Sequence, residues 1–272
     1  MTPGEVASVL SSWRRFDLSR PYVVGMPQSP NHPRYWHSLP RRHGDMVRSD
    51  GSSAANDIIT MGTHVGTHVD GLAHVSHDGK LFGGVDAATA QVGGRFDELG
   101  IHTMPPHVGR GVLLDIPRVR GTEILGPGEE VTQVDLDAAE KLLESLIAPG
   151  DAVFIRTGWG RRWESGDGYV GRDSGVPGPG MAAATWLVDR SPAMVGADSN
   201  AFERLAPGAG HSVLPVHRVL LVEHGIHIVE SLALEEISVA GIVEFLLVLV
   251  PLRLVGATGS PVRPLALVPG DG

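Results

Sequence analysis

The sequence predicts an α/β fold, one domain over residues 1–272 built on a mixed sheet, and three observations carry that expectation. Short apolar runs bounded by Gly and Pro, such as Gly111 to Ile116 and Ala152 to Arg156, read as buried strands. Between those two runs lies a helical repeat, so residues 111–156 form a strand–helix–strand unit. The composition, 42% hydrophobic with 36 glycines and 20 prolines, describes a chain that can fill a core and is rich in loops.

In order along the chain, Val6 to Phe16 is expected to form a short helix. Tyr22 to Trp36 carries several prolines and is expected to run as a long surface loop, and Pro40-Arg41-Arg42-His43 as a solvated turn. Asn56 to Met61 is expected to be a strand leading into the segment His64–Asp70. Leu136, Ala139, Leu142, Leu143 and Leu146 recur at three and four, which predicts a helix over Asp135–Ile147 with Asp135 as its N-cap and Pro149-Gly150 as its stop. Ala182 to Asp189 is the second core helix, feeding a strand at Met194–Gly196. Arg218–Val222 and Ile226–Val229 are further strand candidates, and Leu234–Val239 is a turn-and-helix connection. Phe245–Val255 is expected to be a closing strand broken at Pro251.

Several function classes are disfavoured at this level. The formal net charge of −9 argues against nucleic acid or an anionic membrane as partner. The absence of cysteine removes thiolate nucleophiles and Cys-based zinc sites. No basic segment followed by an apolar run opens the chain, and the longest apolar stretch, Phe245–Val250, is far short of the roughly 20 residues of a membrane span. A cytoplasmic protein is the expectation. The Ser174 and Ser212 neighbourhoods do not form G-x-S-x-G, and neither nucleotide-binding glycine motif is present.

One window concentrates chemistry. His64 to His74 reads H-V-G-T-H-V-D-G-L-A-H, three histidines and an aspartate in eleven positions. Neutral imidazole and carboxylate suit a divalent ion such as zinc, manganese or iron. In an extended strand His64, Gly66, His68 and Asp70 share one face, and Gly66 leaves a slot for the ion. A helix would turn Asp70 away, and Val65, Gly66, Thr67 and Val69 are weak helix formers. The segment is therefore predicted to be a strand or strand end. His74 reads either as a fourth ligand or as a proton-transfer group. His217 and Glu230 flank a second apolar stretch as further candidate ligands.

These residues resemble the metal-dependent cyclase-like hydrolases, the family of bacterial kynurenine formamidase and isatin hydrolase. Phe16-Asp17-Leu18-Ser19 is similar to its opening D-L-S. His64–Asp70 matches its H-x-G-T-H-x-D without departure, and His74 stands at its trailing histidine. Thr157-Gly158-Trp159, Val195-Gly196-Ala197-Asp198 and the closing Gly256–Arg263 segment resemble its T-G-W, V-G-x-D and G-x-x-G-x-P-x-R elements. The resemblance implies a swivelling β/β/α-type fold and hydrolysis of an amide, lactam or ester in a small cyclic or aromatic molecule. It implies that His64, His68 and Asp70 bind a divalent metal, with Asp70 bridging to a second ion held by His217 and Glu230. Zinc or manganese, one or two ions, are the expected cofactors, and His74 is the implied proton shuttle. Relatives assemble as dimers or tetramers, so a homo-oligomer is expected. Gly71-Leu72-Ala73, where short formamidases carry proline, and a longer His217–Glu230 interval point toward the isatin-hydrolase-like branch. The alternatives are an arylformamidase, or a non-catalytic metal- or small-molecule-binding protein on the same scaffold. Trp36, Phe82 and Trp159 are the candidate aromatic contacts for a flat substrate.

Overall fold

The structure is a computed structural model that describes residues 1–270. The opening helix α1 (Pro3–Ser11) is capped by Thr2, whose hydroxyl accepts from the Glu5 N–H while the Glu5 carboxylate accepts from the Thr2 N–H. It stops before Phe16, which lies instead on strand β1 (Arg14–Asp17) with its ring buried. Residues 21–35 form the expected loop. Trp36–Arg41 (β2) and Asn56–Thr60 (β3) then pair as an antiparallel hairpin, exposed along almost its whole length. Pro40 and Arg41 thus end a strand, and β3 is a hairpin arm outside the main sheet.

Among the described residues the main sheet has nine strands. The others are β4 (His68–Asp70), β5 (His107–Asp115), β6 (Ala152–Arg156), β7 (Met194–Ala197), β8 (His227–Glu230), β9 (Glu244–Leu249), β10 (Gly259–Pro261) and β11 (Leu265–Val268). Their spatial order is β1-β11-β9-β5-β6-β7-β8-β4-β10. β5 to β8 run parallel, and antiparallel strands flank them on both sides, so the sheet is mixed as expected. Both faces are covered. Val112 and Leu114 of β5 pack under helices α2 (Gln133–Glu140) and α3 (Met181–Val188), while Leu113 packs with Phe154, Val69 and Val229 on the opposite face.

Four further expected elements take other forms. α2 begins at the cap Thr132, with Asp135 inside its first turn closing a capping box, and it ends at Glu140 rather than Ile147. Arg110 of β5 donates to the carbonyls of Ser145 (2.9 Å) and Leu146 (3.1 Å), and Glu244 of β9 accepts the Glu144 N–H at 2.6 Å. Side chains from the sheet thus occupy the backbone groups a longer helix would pair. Arg218–Glu223 is a wide helical turn, not a strand; the His224 N–H reaches the Val219 carbonyl five residues back. The strand at 245–255 ends at Leu249, and β10 and β11 follow it.

The fourth change concerns the histidine window. Only His68–Asp70 is extended. Gly66 sits at φ +62°, so the chain turns between His64 and His68 and the shared strand face begins at His68. The slot over Gly66 is filled as well: a Cβ built there would lie 2.8 Å from the Tyr22 ring, whose hydroxyl donates to the Thr67 carbonyl at 2.5 Å.

Candidate metal centre

Strand register assembles the core of the site. β8 lies antiparallel to β4, pairing Glu230 with His68 and Ile228 with Asp70, so His68, Asp70 and Glu230 emerge on one face. Val69 and Val229, of opposite parity, are buried in the core beneath. The His68 Nε2 atom lies 3.5 Å from Asp70 Oδ1 and 3.6 Å from Glu230 Oε2. Its Nδ1 donates to the Gly66 carbonyl at 2.8 Å, which leaves Nε2 free to accept a ligand bond.

His217 arrives from the other side. Pro215 opens a one-turn helix, Pro215–His217, that carries the imidazole inward. His217 Nε2 stands 3.2 Å from Glu230 Oε1 and 3.8 Å from Asp70 Oδ2. Its Nδ1 donates to Glu203 Oε1 at 2.8 Å, and the same carboxylate accepts the backbone N–H of Val216 and His217. Glu203 is only 1% exposed. Sequence reasoning missed it, because a Glu within an F-E-R tripeptide carries no motif; only the fold reveals that it orients His217.

His64 precedes the turn and faces Asp70 Oδ1 through Nδ1 (2.6 Å) and Thr258 through Nε2 (2.8 Å). The His74 ring stacks on His64 with centroids 3.7 Å apart, and His32, from the loop 21–35, lies 5.5 Å from His64 on its other flank. Two sets of donor atoms fall within 4.8 Å of one another: His64, Asp70 and His74, and Asp70, His217 and Glu230. Asp70 belongs to both.

The electrostatics of this cluster call for a cation. Burial works to raise Asp70, but the neighbouring histidines hold its carboxyl far below the usual range. Glu230 is held down against its own burial by the hydrogen bond from His217. Burial likewise opposes the charged form of His217, yet hydrogen bonds to Glu203 and Glu230 prevail and raise it to about 10. The carboxylates therefore keep a positive charge in their midst, whether a proton on His217 or a divalent ion in its place. Asp70 Oδ2 is buried and has no hydrogen-bond partner, an arrangement that costs about 1–3 kcal/mol unless something bonds it. That orphaned oxygen and the His/carboxylate donor set fit a divalent metal.

The predicted aromatic contacts separate. Trp36, 58% exposed, and His32 line one cleft of about 1000 Å³. Phe82 is half-buried and packs over Gly225, beside the turn that follows His217. Trp159 is wholly buried and donates its indole N–H to the Tyr169 carbonyl at 2.7 Å, so it is a core residue with no face for a substrate. The T-G-W and V-G-x-D segments meet as structure: Asp198 accepts from the Thr157 hydroxyl (2.6 Å) and the Thr157 N–H (2.9 Å).

Comparison with known proteins agrees with this architecture. The chain is 32% identical over 225 residues to cyclase-like protein 3 of Oryza sativa subsp. japonica, a match covering 79% of this chain and 66% of the rice protein, just under two thirds of its length. It is 25% identical to the kynurenine formamidase of Bacillus cytotoxicus, over 75% of this chain and 76% of the relative. It is 26% identical to the isatin hydrolase of Roseibium aggregatum, over 81% and 78%. Among solved structures, one described as a novel cyclase superposes with a TM-score of 0.83 at 30% identity, covering 98% of this chain and 93% of that one. Isatin hydrolase A from Ralstonia solanacearum shares the fold, with a TM-score of 0.73 at 22% identity over 98% of each chain. A family described as "Putative cyclase" matches residues 16–204, and the chain belongs to that cyclase family.

Proposed function

We propose that this protein is a metal-dependent hydrolase that opens an amide, lactam or ester bond in a small cyclic or aromatic molecule, in the manner of an isatin hydrolase. The observation that carries the reading is Asp70: a buried carboxylate flanked by His64 and His74 on one side and by His217 and Glu230 on the other, with one oxygen that no hydrogen bond satisfies. His64, His68, Asp70, His217 and Glu230 are the residues that would hold zinc or manganese, as one ion or a pair about Asp70. Bound there, such an ion supplies Lewis acidity, polarising a carbonyl oxygen and acidifying water.

The chain supplies the rest. Burial pushes His74 below the ordinary imidazole range, so its ring rests neutral, and the Asp70 charge, which opposes that shift, steadies the ring when it accepts a proton. Stacking on His64 holds that ring beside Asp70, where it takes a proton from water and returns it to the leaving nitrogen or oxygen. The cleft walled by Trp36, Tyr35, Met26 and His32 on one side and by Arg34, Asp167, Arg172 and Asp173 on the other receives a small ring that also carries polar groups. The exposed apolar residues of the β2–β3 hairpin, Trp36, Leu39, Ile58 and Ile59, support a homo-oligomer in which that arm is covered.

The test is a hydrolysis screen of isatin-like lactams, N-formyl aromatic amines and lactones by the metal-loaded protein, with metal content measured in parallel. Preference for the lactams is expected; preference for N-formyl amines would favour arylformamidase, and metal binding without turnover of any class would favour a binding protein. His74→Ala is expected to keep its metal and lose at least about 100-fold in turnover. Loss of metal from that variant would make His74 a ligand.

A further inference from the structure

Asn200 is a buried side chain that the proposed chemistry leaves unused. It lies just beyond the carboxyl end of β7, the strand beside β8, where parallel sheets commonly bind ligands. The register Gly196↔Val229 runs on to the bond from the Ser231 N–H to the Ser199 carbonyl at 2.8 Å, which sets Asn200 next to the Glu230–Ser231 corner. Three residues later the same loop delivers Glu203 to His217. Asn200 is thus tied on one side to the strand end bearing Glu230 and on the other to the support of His217.

Its side chain is 92% withdrawn from solvent by residue, with 8% exposed, and neither Nδ2 nor Oδ1 has a hydrogen-bond partner. Among the described residues it is the one side chain with both of its polar atoms buried and unbonded, and the adjoining Ser199 hydroxyl is unbonded too. An asparagine satisfied by the protein alone would be bonded, because buried amides nearly always are. A buried primary amide without partners offers one donor and one acceptor side by side, the complement of a lactam edge, where N–H and C=O lie on the same side.

We infer that Asn200 is a substrate-positioning residue: Nδ2 donates to the carbonyl oxygen of the scissile amide, and Oδ1 accepts its N–H. The inference rests on the hydrolase reading and deepens it, since it gives the site a means of preferring lactams over lactones and over N-alkylated amides. A site built to bond an N–H discriminates strongly against analogues that lack it.

The experiment pairs Asn200→Leu, close in volume, with two probes, isatin and N-methylisatin, on the metal-loaded protein. The variant is expected to keep its metal and its wild-type Tm, or to gain slightly, because a buried unbonded amide has been removed. It is expected to lose about 100-fold in kcat/KM on isatin, the scale of a lost carbonyl-oxygen donor. On N-methylisatin the loss is smaller, since the N–H contact is already missing. Turnover of isatin within about twofold of wild type overturns the inference. Equal losses on both probes overturn the Oδ1 contact. A Tm lower by more than about 3 °C shows that Asn200 is bonded within the folded protein, and overturns the inference as well. Should wild type hydrolyse neither probe, the isatin-like substrate class falls on its own, and the wider screen decides the hydrolase reading. The Tm of Asn200→Leu then still decides whether the amide is structural or held open for a ligand.

Discussion

At the scale of single residues, the centre depends on groups that orient ligands as much as on the ligands. Glu203 accepts from His217 Nδ1 and from two backbone N–H groups, so it fixes both the imidazole's tautomer and the turn that presents it. Glu203→Gln keeps the shape but weakens that grip. It is expected to reduce metal affinity about 10- to 100-fold, measured by competition with a chromophoric chelator, while far-ultraviolet circular dichroism stays unchanged. Wild-type affinity in this variant would mean that His217 is held by packing alone. His64, His68 and Asp70 were legible as candidate ligands because their residue types and the H-x-G-T-H-x-D spacing carry chemistry, and His217 and Glu230 through the family resemblance. Glu203, His32 and Thr258 were not, since a lone Glu, His or Thr in a loop has no spacing to read. Trp159 was misread for the converse reason: aromatic character in a motif does not reveal whether the ring faces a ligand or the core.

At the scale of elements, periodicity located the strands better than it located their ends or the helices. Ala152–Arg156 appears with the predicted bounds, as a buried run between a glycine-rich stop and a conformational break. The helix over 135–147 was shortened by contacts from Arg110 and Glu244, both distant in sequence. The Arg218–Val222 run, apolar enough for a strand, became a wide turn that packs Leu220 and Leu221 into the core. Asp135 joins a helix start to a neighbouring element: it accepts from the Thr132 N–H and from Arg120 through both oxygens. Burial acts to raise its pKa, but the Arg120 and Thr132 hydrogen bonds hold it at about 2, below the ordinary 3.8. A depressed carboxyl stabilises the fold above its unfolded value and loses that contribution as pH falls toward the folded one. Asp135→Asn is therefore expected to be less stable than wild type at pH 7, by about 1 kcal/mol, the scale of a helix-capping interaction. The gap should close between about pH 4 and pH 2 in urea titrations. A gap independent of pH would assign the loss to packing.

At the scale of the whole molecule, the candidate metal centre joins segments that are remote in sequence: the turn at 64–70, the loop at 198–203, the one-turn helix at 215–217, the strand ending at Glu230, and Thr258. An ion bound among them ties these segments together in the folded state and has no comparable site in the unfolded chain. Stripping it with a chelator is expected to lower Tm, and adding zinc or manganese to restore it, with the shift growing as the logarithm of free ion. At a thousandfold excess over Kd the stabilisation is about 4 kcal/mol. A Tm indifferent to both treatments would remove the metal from the account. The sequence by itself determined the class of fold, the strand–helix–strand unit over residues 111–156 and the residue types that can bind a cation, because hydrophobic period and ligand chemistry are local properties. Only the tertiary structure decided which face His64 uses, that Tyr22 fills the space over Gly66, that Glu203 orients His217 and that Asn200 is left unbonded. Those outcomes depend on strand register and on contacts between residues far apart in the chain, and no local pattern specifies either.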